Sequence, residues 1–133
     1  MIYLDSNLFL YAILYPDVKG EKARNFLKSV REGPKKACTA SLTYDEIIWK
    51  VKVLRGPEDA LLAGEAFLNM GNLEIVEIGR EILWMAHSLM KEVSLDPRDA
   101  IHAACCLKKG AEVLVSEDSD FDKIKGMKRK WIF

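Results

Sequence analysis

Acidic side chains stand in this chain where apolar runs meet turns or helix starts. They are Asp5 in Ile2-Tyr3-Leu4-Asp5-Ser6-Asn7, Glu46 in Thr43-Tyr44-Asp45-Glu46, Asp99 in Asp96-Pro97-Arg98-Asp99, and Asp118 in Val113-Leu114-Val115-Ser116-Glu117-Asp118. A carboxylate just past a buried strand lies on the rim where strand ends converge, and open α/β sheets hold their ligands there. Carboxylates gathered on one rim repel each other. A hard divalent cation such as Mg²⁺, which prefers oxygen ligands, relieves that repulsion. The spacing therefore points to a metal site, and a metal site points to phosphoryl chemistry.

Each acid also has a purely structural use. Asp5 can cap the helix that begins near Leu8. Glu46 can be the third-position partner of Thr43 in a capping box, and Asp45 beside it is a rival ligand. Asp99 can be a first-turn acid facing a helix dipole, although Asp96 is the better cap and leaves Asp99 free. Asp118, with Glu117, Asp120 and Asp122, can be a solvated acidic turn. In that turn Asp120 is a second ligand or a cap, and Asp122 belongs to the surface. His87 and His102 lie within amphipathic helices without a His or Cys at ligand spacing, and both read as structural. Ser6, Ser41 and Ser116 lack a nucleophile-elbow setting, and no phosphate-binding or dinucleotide loop is present.

The elements that must position these acids alternate along the chain. Ile2 to Leu4 reads as a buried strand and Leu8 to Leu14 as a buried helix. Apolar positions at Ala23, Phe26, Leu27 and Val30 mark an amphipathic helix over 18–30. Lys36 to Ala40 is a short strand. The Thr43 capping box opens a helix to about Leu54 whose apolar face includes Ile47, Ile48, Val51 and Leu54. Trp49 and Val53 lie on another side of it, where they are either core or a partner surface. Further helices are expected over 58–70, 80–93 and 97–109, the last opened by Asp96-Pro97 and closed by Gly110. Strands are expected over 73–78, 113–115 and 128–133, with a short helix or turn over 118–124. This alternation implies an α/β fold with a mainly parallel sheet in a single domain, 1–133.

The chain has 133 residues, half of them hydrophobic, with 20 basic and 20 acidic side chains. That length supports one core without a disulfide or a structural metal. Zero net charge neither advertises nor excludes a nucleic-acid partner. The three cysteines, Cys38, Cys105 and Cys106, read as small buried residues, because no metal-ligand spacing connects them. The amino terminus has no signal-peptide pattern and no run reaches the length of a membrane span, so the cytosol is the expected location and no membrane partner is expected.

Taken in order, Leu4-Asp5-Ser6-Asn7, then Tyr44-Asp45-Glu46, then Asp99-Ala100-Ile101-His102-Ala103, then Ser116-Glu117-Asp118-Ser119-Asp120-Phe121 resemble the PIN domain family over essentially the whole chain. The third and fourth segments are the most specific. The likeness is greatest to the toxin subunits of VapBC-type toxin–antitoxin pairs. The resemblance implies a three-layer α/β/α domain with a central parallel sheet. It implies an endoribonuclease dependent on Mg²⁺ or Mn²⁺, often a homodimer and often restrained by an antitoxin protein. It carries the catalytic quartet onto Asp5, Glu46, Asp99 and Asp118, the metal ligands onto Asp5, Asp99, Asp118 and Asp120, and supporting polar positions onto Asn7 and Ser116. RNA is the implied substrate.

Hydrolysis by one or two Mg²⁺ ions needs no covalent enzyme intermediate, in keeping with the lack of an activated Ser, Cys or His. For holding RNA, Arg98 and the basic stretch with Lys123, Lys125, Lys128, Arg129 and Lys130 are candidates, although that stretch also reads as a solvated terminal face. A dehalogenase-like phosphatase would want a second Asp where Asn7 stands, and a receiver domain would want a different order of acids. The remaining alternative is a catalytically silent PIN-like module that binds RNA or protein.

Overall fold

The computed structural model describes all residues, Met1–Phe133. In chain order the elements are β1 (Ile2–Leu4), α1 (Ser6–Leu14), α2 (Val18–Glu32), β2 (Ala37–Ala40), α3 (Leu42–Arg55), α4 (Pro57–Leu68), β3 (Leu73–Val76), α5 (Arg80–Glu92), α6 (Pro97–Lys109), β4 (Val113–Val115), a 3₁₀ turn (Ser119–Lys123) and β5 (Arg129–Lys130). The strands form one sheet in the order β3-β2-β1-β4-β5, and every pairing is parallel. β1 lies at the centre, with Leu4 opposite Val115.

Strand side chains alternate between faces, so one short strand feeds two cores. Tyr3, Cys38 and Leu114 pack under α5 and α6, together with Ala100, Ala103, Phe121 and Ile124. Leu4, Ala37 and Val115 pack under α1–α4, with Leu8, Phe9, Leu27, Ile47, Val51 and Phe67. The result is three layers, as the resemblance implied. Small residues at Ala100, Ala103, Ala104, Cys105 and Cys106, all buried, let α6 lie close on the sheet. All three cysteines are free and buried. No helix is long and apolar enough to cross a membrane.

Several local expectations are corrected. Helix α3 begins at Leu42, and Ser41 makes no side-chain cap bond, so Thr43 and Glu46 form no capping box. The buried Thr43 hydroxyl instead pairs with Thr39 Oγ1 at 2.7 Å, and Thr39 donates to the Leu4 carbonyl at 2.6 Å. Burial gave those hydroxyls tertiary partners, which outcompete a local cap. Leu54 is 58 % exposed, outside the apolar face on which Ile47 and Val51 are buried. Trp49 and Val53 are 63 % and 62 % exposed, which removes the core alternative for them. Asp96 occupies the cap position of α6, but its side chain accepts no cap bond. The terminal strand shrinks to Arg129–Lys130, because β4, its only neighbour, is itself three residues long.

The turn from α1 into α2 is tight. Asp17 caps α2 through Lys19 N–H and Gly20 N–H, and Arg24 donates to the carbonyls of Ala12 and Tyr15. A Cβ on Gly20 would fall 1.7 Å from the Tyr15 carbonyl oxygen. Gly20→Ala should therefore destabilise the fold by about 1–3 kcal/mol, the usual range for overpacking. A urea midpoint equal to that of the wild type would disprove this reading of the turn.

Candidate active site

β1 and β4 are spatial neighbours, although β2 and β3 intervene in the chain and lie on the other side of β1. The crevice at their carboxyl ends is thus the point where the chain order reverses, the usual ligand position in open parallel sheets. Asp5 leaves β1 and caps α1, with its Oδ1 accepting from Ser6 N–H at 2.8 Å. Ser116 leaves β4 and donates its hydroxyl to Asp5 Oδ2 at 2.6 Å. The Ser116 Oγ in turn accepts from Asp118 N–H at 3.0 Å and from Asn7 Nδ2 at 3.2 Å. Because the only Ser116 proton is used on Asp5, Asn7 must present its amide N–H₂ there. Its Oδ1 is left buried without a partner. One serine thereby ties the ends of both strands and the start of α1 together.

Helix α6 brings Asp99 to this crevice in its first turn. Carboxylate oxygens of Asp99, Asp118 and Asp120 lie within 4.8 Å of one another, and all three residues are half-buried. Asp118 also caps the 3₁₀ turn, accepting from Asp120 N–H at 2.9 Å. Burial and the charge of Asp118, with a smaller push from Asp5, raise the Asp99 pKa to about 7. Burial also raises that of Asp5, although His102, Ser116 and the Ser6 N–H oppose it. An oxygen-only set at this spacing, with a carboxyl that cannot comfortably ionise beside its neighbours, fits a hard divalent cation. Asp99, Asp118 and Asp120 are the residues that could hold it, with Asp5 adjoining.

His102 is the residue that sequence reasoning missed. Read as structural, it lies at the centre of the site and is 1 % exposed. Its Nε2 is 2.6 Å from Glu46 Oε1 and 3.5 Å from Asp5 Oδ1. Its Nδ1 is 2.7 Å from the Tyr3 hydroxyl, which itself accepts from Ala40 N–H. In the neutral ring, Tyr3 donates to Nδ1 and Nε2–H donates to Glu46. Burial opposes a charge on the ring, but the Glu46 bond and the Asp5 charge outweigh it and raise the pKa. The available signal was helical spacing: Asp99 and His102 are three apart and share a face.

Of the Asp45–Glu46 pair, Glu46 turns inward to His102, while Asp45 is exposed. Arg98 borders the crevice beside Asp45 and Glu46. Lys123 donates to the Ser94 carbonyl and pairs with Asp120 at 3.2 Å, so its charge is engaged within the protein. Arg129 is held by both oxygens of Asp122 and by the Ser116 carbonyl. Lys125 is exposed just beyond the 3₁₀ turn. Glu117 receives the Tyr11 hydroxyl at 2.8 Å and lies outside the carboxylate trio.

The family model for the PIN domain matches residues 2–127. Ribonuclease VapC13 of Mycobacterium tuberculosis is 26% identical over 130 residues, covering 97% of this chain and 98% of the relative. The DNA-bound VapBC of Salmonella typhimurium has a chain that superposes with a TM-score of 0.78 at 20% identity, over 99% of this chain and 98% of that one. The sarcin-ricin loop-cleaving toxin VapC20 of M. tuberculosis superposes with a TM-score of 0.76 at 17% identity, over 92% and 94%. These likenesses cover the full α/β/α architecture described above.

The raised pKa values set the sign of the pH response. A group that holds its proton more tightly when folded stabilises at low pH and loses that contribution as pH rises through its folded pKa. For Asp99 the window runs from its ordinary 3.8 to about 7. Asp5 and His102 shift in the same direction. In EDTA, the melting temperature should therefore fall as pH rises from 5 to 8, and Asp99→Asn should flatten that fall. Mn²⁺ should raise the wild-type melting temperature most at the alkaline end. Identical pH slopes for wild type and Asp99→Asn would contradict the electrostatics described here.

Proposed function

The chain belongs to the PIN domain family, and from that premise we propose that it is a divalent-metal-dependent endoribonuclease, the toxin member of a toxin–antitoxin pair. The observation that carries this reading is the convergence of Asp99, Asp118 and Asp120 at the β1–β4 crevice, with Asp5 and Glu46 beside them. Asp99, Asp118 and Asp120 would hold Mg²⁺ or Mn²⁺. A cation bound there supplies the positive charge that offsets the scissile phosphate and activates water for attack. Asp5 is kept in place by Ser116 and Ser6, so its free approach to the crevice is pre-set. Glu46 is oriented through His102, which is too buried to meet RNA itself and so acts as a positioning residue. Its second oxygen remains available to a water or to the cation shell.

The printed names of the relatives and fold neighbours support the RNA substrate and the antitoxin partner. A recess lined by Phe9, Ile13, Leu27, Phe67 and Met70, with Arg24 and Arg31, offers an apolar seat for a partner segment. Exposed Val53, Leu61 and Leu62 support assembly, either as a homodimer or with that partner. A cytosolic location suits a nuclease acting on RNA.

Incubating labelled single-stranded RNA with the protein tests this directly. Cleavage should require Mg²⁺ or Mn²⁺, cease in EDTA, and fall on the order of hundredfold or more in Asp5→Asn and Asp99→Asn, because losing a cation ligand, or the carboxylate charge adjoining the cation, weakens its hold and its charge stabilisation. Cleavage that survives EDTA, or that both variants retain, would refute the assignment. A wild type that binds RNA but never cuts it would favour the silent binding module.

A further inference from the structure

The proposed reaction leaves open how a flexible RNA strand is held across the acidic crevice. Two open recesses of about 460 and 510 Å³ adjoin there and share Leu10 and Lys50. The first runs past Asp45, Glu46, Trp49 and Arg98, so it borders the proposed catalytic acids. The second continues past Asn7, Tyr15 and Glu117. Each carries a large exposed ring: Trp49 is 63 % and Tyr15 41 % exposed. Tyr15 is backed by Tyr11, with ring centroids 4.4 Å apart, which makes it a fixed platform rather than a swinging side chain.

Two cations stand beside the rings along this path. Lys50 and Arg98 are free of the ion pairs that engage Lys123 and Arg129. Three acids line the same path: Glu46 is hydrogen-bonded to His102, Glu117 to the Tyr11 hydroxyl, and both keep their carboxylates beside these two cations. Only Asp45 faces the groove uncommitted. Alternation of exposed aromatic faces with free cations is the pattern by which proteins hold unpaired nucleotides, since rings stack on bases and cations meet phosphates.

We propose that the continuous groove between α1 and α3 is the single-stranded RNA track, with Trp49 and Tyr15 stacking bases on either side of Lys50 and Arg98. The proposal rests on the ribonuclease reading and names its substrate form: unpaired RNA, not duplex, because stacking needs bases splayed from their partners. It moves RNA contact from the basic carboxyl-terminal stretch to α3 and the end of α1. Trp49 lines the first recess, and Lys50, adjacent in sequence, lines both and joins them beside Leu10.

The test measures anisotropy of a fluorescein-labelled, mixed-sequence single-stranded RNA 12-mer against Asp99→Asn protein, which holds RNA uncut, alongside wild-type cleavage kinetics. Added to that background, Trp49→Ala and Tyr15→Ala should each weaken binding on the order of tenfold, and Trp49→Phe should restore most of it. Lys50→Ala should weaken binding and reduce the slope of log affinity against log salt by about 0.7, one single-strand phosphate contact. In the cutting enzyme these losses should appear in KM rather than kcat. Trp84→Ala, equally exposed but on α5 outside the groove, should bind as the parent does. The same RNA annealed to its complement should bind more weakly. Wild-type affinity in the Trp49 and Lys50 variants, with RNA cleavage intact, overturns the track but not the nuclease. That result would leave Trp49 to a protein partner. A wild type that neither binds nor cuts RNA overturns both.

Discussion

Repulsion among carboxylates that the protein does not neutralise by itself is the constraint on which the rest of this structure depends. Asp99, Asp118 and Asp120 converge, and of the three only Asp120 has an ion pair, with Lys123. The fold tolerates the strain by letting Asp99 keep its proton near neutrality. Nothing in core packing asks for that arrangement. Groups whose environments push their pKa values apart, gathered in a cleft, are what a functional site requires and a merely stable domain avoids.

Holding such charges in place needs neutral polar contacts that do not cancel them. Ser116 supplies these with one hydroxyl that bridges Asp5, Asn7 and the backbone of Asp118. On the opposite side Tyr3 reaches from the central strand to His102, and His102 reaches to Glu46. The chain Ala40 N–H, Tyr3, His102, Glu46 crosses a core that is otherwise apolar. A half-satisfied network of this kind would be more damaging than none, so its completeness signals that the geometry of Glu46 matters. Ser116 and His102 thus aim the acids, while the buried Thr39–Thr43 pair ties α3 and β2 to β1.

The surface around the crevice divides the remaining work. The apolar recess by α1, α2 and α4 and the exposed side chains of α3 and α4 are suited to protein contacts. The groove between α1 and α3 instead mixes rings with free cations. The cations near the carboxyl terminus read equally as an RNA contact or a solvated face; in the fold Lys123 and Arg129 are engaged by Asp120 and Asp122, whereas Lys125 stays exposed.

The layered α/β architecture was legible in the residues, because apolar periodicity and the Gly and Pro stops are local properties. So was the set Asp5, Asp99 and Asp118, because each follows a strand or opens a helix. What the linear chain could not decide was where long-range partners would take a side chain. Thr43 looked like a helix cap and instead pairs with Thr39, which reaches the Leu4 carbonyl 35 residues away on β1. His102 looked like packing and became the link between Asp5 and Glu46, across 56 residues from the latter. Glu46 rather than Asp45 turns inward because α3 presents that side to α6, and no periodicity distinguishes adjacent acids. Local sequence determines which elements form; hydrogen bonds and charges between remote elements, strong only once water is excluded, decide which side chains meet.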